Sequence, residues 1–282
     1  MSIPYFTLGD SGLPLFFLHA NGYPPECYRP LLTKLSEQYH VYSMRQRPLW
    51  QDSKPEEIAD WHPLTDDFLR FLDETQTGAS IGVGHSLGGI VTLRAALCQP
   101  ERFRALVLID PVLFPPYFIR SWQVMRTLGL GYQLHPLVRA ARAARERRHQ
   151  FDDLDKLFKG YRRKPIFRYM DDPALHAYVE GIACLGEHEY TLCYSAEWEM
   201  RIYVTSVWRD MDIWHSLPGL NIPLLMIRGA ETNTFWASTA RRVLRKVPLA
   251  QVVTVPQASH LVPLEHPDEV YQAIQEFLQE NL

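Results

Sequence analysis

The sequence predicts an α/β fold: a mostly parallel central sheet flanked by helices, with a helical insertion between two of its strands. Three observations carry that prediction. Short apolar runs of strand length alternate with stretches of helical apolar spacing over residues 1–113. The alternation stops over residues 114–216 and resumes over residues 217–282. Strands that alternate with helices are joined by crossovers, which makes neighbours parallel and covers both sheet faces.

Taken in order, residues 3–8 and 15–18 read as strands on either side of the turn formers Gly9-Asp10-Ser11-Gly12. Residues 28–39 read as a helix with Leu31, Leu32 and Leu35 on one face, and residues 40–44 as a strand. Leu64, Phe68, Phe71 and Leu72 recur at helical spacing within residues 64–74. Residues 80–84 and 106–110 are apolar strands around a helical stretch at 87–98. Beyond the insertion follow a strand at 224–228, a helix at 238–246, a strand at 251–255 and a last helix carrying Val270, Ile274 and Phe277.

The insertion is rich in arginine and aromatic residues and shows no strand pattern, repeat or low-complexity linker. It is expected to form a helical cap over one edge of the sheet. Its stretch RAARAARERRHQ, residues 139–150, holds five arginines and one glutamate. That pattern suits a solvated helix face or a docking surface for an anionic group.

Composition narrows the function classes. A chain of 282 residues with 46% hydrophobic content buries a large core, which excludes disorder as the whole answer. A net charge of −3 lacks the basic excess of a nucleic-acid binder, so no nucleic-acid partner is expected. No run reaches the roughly 18 apolar residues of a transmembrane segment, and no basic leader precedes the apolar residues 13–20. The four cysteines, Cys27, Cys98, Cys184 and Cys193, are scattered, which predicts free thiols and a cytoplasmic location. Cys184, His188 and Cys193 match no short-spaced zinc pattern, so no metal site is expected.

The chemistry concentrates at Gly84-His85-Ser86-Leu87-Gly88, a G-x-S-x-G pentapeptide between an apolar strand and a helical run. There a serine sits on a sharp strand-to-helix turn that lifts its hydroxyl above the sheet, and small flanking residues let strand and helix approach. A serine hydroxyl needs a base. His260, in a loop between a late strand and the last helix, is the candidate; His85 reads as packing and His266 as a helix-entry residue.

The order of strands, with LHANG after an early strand, GHSLGG after a central one and ASHLVPLEHPDEV near the end, resembles the α/β-hydrolase superfamily. The likeness is to its capped, esterase-like and lipase-like branch. It implies core segments at 1–113 and 217–282 and a cap or lid at 114–216. It also implies an oxyanion hole from the backbone N–H groups of Asn21 and Leu87, with Ala20 where the family has glycine. The family places its acid after the first strand beyond the cap, where GAETN offers Glu231 and Asn233 but no aspartate. Some members place it one strand earlier, which points to Asp110; Glu231 and Asn233 remain alternatives. The resemblance implies acyl transfer from an ester or thioester to water on a small molecule, with no metal or organic cofactor, and the aromatic residues of the cap, Trp122, Tyr132, Trp198 and Trp208 among them, point to a substrate with apolar bulk. C–C bond hydrolysis, perhydrolysis, ligand binding without turnover, and docking through the arginine-rich helix are the competing readings.

Overall fold

The computed structural model describes residues 2–130, 136–186 and 189–282, residues 136–140 by their helical backbone alone. Tyr132 and His188, singled out in the sequence as a cap aromatic and as a neighbour of two cysteines, lie outside the described residues. Tyr5–Leu8 (β1) and Leu13–Leu18 (β2) flank a turn in which Gly12 takes a φ of 93°. A Cβ there would lie 2.1 Å from the Gln38 carbonyl oxygen, so the turn admits no side chain. Arg29–Leu35 (α1) buries Leu31, Leu32 and Leu35 and leads into Tyr39–Met44 (β3). His62–Thr75 (α2), Ser80–His85 (β4), Leu87–Cys98 (α3) and Phe103–Ile109 (β5) follow.

The next hundred residues are mainly helical: Pro116–Thr127 (α4), Pro136–Glu146 (α5), Leu154–Arg162 (α6), Asp172–Ile182 (α7), Ala196–Thr205 (α8) and Met211–Ser216 (α9). They are not wholly so. Gln150–Phe151 (β6), Ala183–Leu185 (β7) and Tyr190–Leu192 (β8) form a small antiparallel sheet in the order β6-β8-β7. This corrects the expectation of no strands, because pieces of two or three residues are too short to display an alternation. The same hairpin corrects the expectation of four free thiols. Pairing of β7 with β8 brings Cys184 and Cys193 to a Cα separation of 5.2 Å, and they are joined in a disulfide. Cys27 and Cys98 are free. With one pair oxidised, cysteine usage no longer argues for a reducing compartment.

Leu224–Gly229 (β9), Ala237–Leu244 (α10), Ala250–Val255 (β10), Val262–Glu265 (α11) and Pro267–Asn281 (α12) complete the order. The main sheet runs β1-β3-β2-β4-β5-β9-β10. β1 pairs antiparallel with β3, and every other neighbouring pair is parallel. Alternate side chains of β2 serve opposite faces, as the strand period requires. Phe16 and Leu18 join Phe68, Phe71 and Ile90 on one side; Leu15 and Phe17 join Leu31, Leu35 and Ile274 on the other.

α3 is buried over residues 87–96, including Arg94. That charge is tolerated because Asp210 at 2.7 Å and Asp212 at 3.0 Å pair with it, which ties the segment before β9 to the helix that opens at Ser86. β2, β4, β5, β9 and β10 end side by side at the carboxyl edge of the sheet, where α/β folds bind their ligands. No helix among the described residues is long and apolar enough to cross a membrane.

Candidate active site

Ser86 joins β4 to α3 with φ 57° and ψ −116°, a backbone conformation that costs about 1–3 kcal/mol and persists only where the surroundings enforce it. The flanking glycines show how. A Cβ on Gly84 would lie 2.3 Å from the Gly88 carbonyl oxygen, and one on Gly88 would lie 2.2 Å from that of Leu18. Bare backbone therefore lets strand and helix close around the serine and lets α3 seat on the end of β2. The hydroxyl emerges at the N-terminus of α3, where unpaired N–H groups favour negative charge.

Ser86 Oγ donates to His260 Nε2 at 2.9 Å, and His260 Nδ1 donates to Asp110 Oδ1 at 2.8 Å. His260 follows β10 and Asp110 follows β5, so three strand ends meet here. Asp110 is fully buried and takes a φ of 39°. Its Oδ1 also accepts from Thr232 Oγ1 at 2.6 Å, and its Oδ2 from the Gly229 N–H at 3.0 Å. The loop after β9 thus contributes hydrogen-bond donors to a carboxylate on the neighbouring strand. Glu231 is directed elsewhere: its carboxylate is held by Arg168 at 2.7 Å and by the Tyr169 hydroxyl. Asn233 Oδ1 accepts from Thr234 Oγ1 at 3.2 Å, and Asn233 lines the cavity without meeting His260 Nδ1.

The 19–22 segment lies beside this array. Among the described residues, neither the Asn21 N–H nor the Leu87 N–H donates to a protein acceptor, and both residues line the cavity that holds Ser86. The positive φ of the turn falls on Gly22, at 79°, so Ala20 carries no strain in the place of a glycine. His19 shapes the loop as a neutral ring: Nδ1 donates to the Ala20 carbonyl and Nε2 accepts from the Gln46 N–H. Burial lowers its pKa to about 4. The Asn21 side chain donates to the Glu199 carbonyl at 3.1 Å, which docks the loop on α8.

The cavity measures about 340 Å³. Trp61, Val112, Phe114, Phe118, Ile202 and Trp236 form its apolar wall, with Asn21, Tyr23, Tyr203 and Ser206 as polar neighbours. No lysine, arginine, aspartate or glutamate among the described residues lines it. The nearby Arg147, the one arginine turned inward among Arg142, Arg145, Arg147 and Arg148, is neutralised by Glu199 at 2.5 Å. Burial raises the Glu199 pKa against the pull of that arginine.

Several supporting residues escaped the sequence. His85 does more than fill space: its ring bonds Tyr28 on one side and the His260 carbonyl on the other. Glu265 takes the Ser259 N–H and hydroxyl at 2.7 and 2.6 Å and so shapes the turn before His260. The one local signal was the glutamate five residues after His260 at the foot of the last helices.

A family model described as an alpha/beta hydrolase family matches residues 15–273. The 2-(acetamidomethylene)succinate hydrolase of Mesorhizobium japonicum is 25% identical over 274 residues, spanning 95% of this chain and 88% of that one. Among solved structures, an E-2-(acetamidomethylene)succinate hydrolase superposes with a TM-score of 0.76 at 22% identity, over 98% of this chain and 94% of that one. The enol-lactonase from Burkholderia xenovorans LB400 does so at 0.67 and 16% identity, over 98% and 96%. At those identities the solved structures share the fold.

Proposed function

The chain belongs to the alpha/beta hydrolase family, a hydrolase by class, and from that premise we propose that it is a serine hydrolase cleaving an ester or thioester of a partly apolar carboxylic acid. The observation that carries this is the unbroken path from Asp110 through His260 to Ser86, ending in a cavity beside two N–H groups that have no protein acceptor. His260 Nε2 takes the Ser86 proton as Oγ attacks the acyl carbon. The oxyanion rests on the N–H groups of Asn21 and Leu87, each worth about 3 kcal/mol of transition-state stabilisation. Collapse expels the alcohol or thiol, which takes its proton from His260. Water then attacks the acyl-enzyme, gives a proton to His260, and Ser86 departs reprotonated. Asp110 holds the imidazole with its proton on Nδ1 and stabilises the imidazolium. Residues 114–216 act as the cap that roofs this chemistry.

The wall of Trp61, Phe114, Phe118 and Trp236 supports an acyl or alcohol group of apolar bulk. The absence of a charged lining residue among those described favours neutral substrates, since an unpaired carboxylate loses several kcal/mol on leaving water. Because one relative is named for a succinate derivative, an anionic ester is the informative comparison. A panel of p-nitrophenyl butyrate, butyryl thioester and mono-p-nitrophenyl succinate tests the reading. Turnover of the two neutral compounds, with kcat/KM for the anionic ester lower by about 100-fold, is expected, about 2.7 kcal/mol at 1.36 kcal/mol per tenfold. Faster turnover of the anionic ester overturns the substrate assignment; no turnover of any of the three overturns the esterase assignment.

A further inference from the structure

Ser86, His260 and the Asn21 loop come from separate segments, and one buried chain of hydrogen bonds joins them from beneath. The Ala20 N–H lies 3.2 Å from Tyr28 Oη, Tyr28 Oη lies 2.7 Å from His85 Nδ1, and His85 Nε2 lies 2.8 Å from the His260 carbonyl oxygen. Its two ends dictate its direction. A backbone N–H only donates and a carbonyl only accepts, so the Tyr28 proton goes to His85 Nδ1 and the one proton of a neutral His85 sits on Nε2. Tyr28 and His85 are both fully buried. Burial, reinforced by the nearby His260, holds the His85 imidazole well below the usual histidine range. A second proton on Nδ1 would leave the Tyr28 hydroxyl proton without an acceptor.

Neither residue lines the cavity. Their contacts run instead to the backbone beside the two groups that face the substrate: Ala20 precedes Asn21, and the accepting carbonyl belongs to His260 itself. His85 is also the residue before Ser86, so the elbow carries the middle of the chain. Among the described residues, the loop after β10 is also held by the Ser259–Glu265 pair, by the Glu231 N–H on the Ala258 carbonyl at 2.9 Å and by His266 Nε2 on the Gln257 carbonyl at 3.0 Å, but none of these reaches the Asn21 loop.

We infer that Tyr28 and His85 are positioning residues whose one-way hydrogen-bond chain sets the spacing between the Asn21 N–H, where the oxyanion forms, and the His260 ring, which takes the Ser86 proton. The inference rests on the serine-hydrolase reading above. A misplacement of about 1 Å at a reacting group costs on the order of 100-fold, so losing this spacing lowers kcat and leaves KM nearly unchanged.

The test uses the full chain and p-nitrophenyl butyrate. Tyr28→Phe removes the hydroxyl but keeps the ring; kcat falls about 10- to 100-fold, KM stays within about threefold, and the melting temperature falls by only a few degrees. His85→Gln, which keeps a donor and an acceptor on a flexible arm, retains more kcat than His85→Leu. On the wild-type protein, long-range 1H–15N spectra show His85 as the neutral ring protonated at Nε2 from pH 5 to 9. A wild-type kcat in Tyr28→Phe, or a His85 that titrates in that range or carries its proton on Nδ1, overturns the inference. A wild-type protein that cleaves no acyl substrate overturns the hydrolase reading beneath it instead, while the His85 spectrum still decides the direction of the chain.

Discussion

Asp110→Asn is the sharpest perturbation of the proposed triad. The carboxylate accepts three hydrogen bonds: His260 Nδ1 at 2.8 Å and Thr232 Oγ1 at 2.6 Å on Oδ1, and the Gly229 N–H at 3.0 Å on Oδ2. An amide must place a donor on one side. Toward Gly229 it would set two donors 3.0 Å apart, on backbone packed so closely that a Cβ at Gly229 would lie 2.1 Å from the Ser259 carbonyl oxygen. Thr232 can rotate its hydroxyl, so the NH2 turns toward His260 and selects the tautomer protonated on Nε2. That nitrogen then has no lone pair for the Ser86 proton. The expected loss in kcat/KM is about 10⁴-fold, on the order of 5 kcal/mol of transition-state stabilisation, with KM little changed. Hydrolysis of p-nitrophenyl butyrate measures it, with Glu231→Gln as the control expected within about twofold because Arg168 and Tyr169 already occupy that carboxylate. An Asp110→Asn enzyme that keeps more than about a tenth of wild-type kcat/KM would refute the assignment of the acid.

Gly88→Ala drives a methyl to 2.2 Å from the Leu18 carbonyl oxygen and 2.8 Å from that of His19; it is expected to cost about 3 kcal/mol or more, and a wild-type melting curve would contradict the close approach. Glu199→Ala strands the half-buried Arg147 and is expected to cost about 3–5 kcal/mol in urea unfolding; a loss below about 1 kcal/mol would show the pair to be incidental. The His19 pKa is lowered from 6.5 to about 4, so between those values the unfolded chain binds a proton that the folded protein refuses. Stability from this group is therefore complete above about pH 6.5 and lost as pH falls toward 4, by about 3 kcal/mol. The stability advantage of wild type over His19→Gln should shrink by that amount on acidification, and an advantage independent of pH would contradict the neutral ring.

Which parts of this molecule could be read from its sequence follows the range of the interactions involved. The turn at Ser86 was legible because strand, small residues and helix are contiguous and encode the geometry locally. The two-sided burial of the sheet followed from the apolar runs. Asp110 is favoured over Glu231 and Asn233 only through the family resemblance, because its contact with His260 spans 150 residues and no local pattern tells which strand end will face the histidine. The loop GAETN drew suspicion for lacking an aspartate, yet its Gly229 and Thr232 serve as donors to Asp110. Arg147 stood within an apparently solvated arginine run, and only the fold brings Glu199, 52 residues away, against it. The Cys184–Cys193 bridge depends on a hairpin whose strands are three residues each, too short to announce themselves.

The central claim is that Ser86 is a nucleophile activated by His260. Treating the folded chain with a fluorophosphonate and locating the adduct by peptide mass spectrometry tests it most directly. The expected result is one adduct per chain, on Ser86, absent from Ser86→Ala and formed far more slowly in Asp110→Asn. Folded wild-type protein that stays unlabelled, or that carries its label on another residue, would contradict the account.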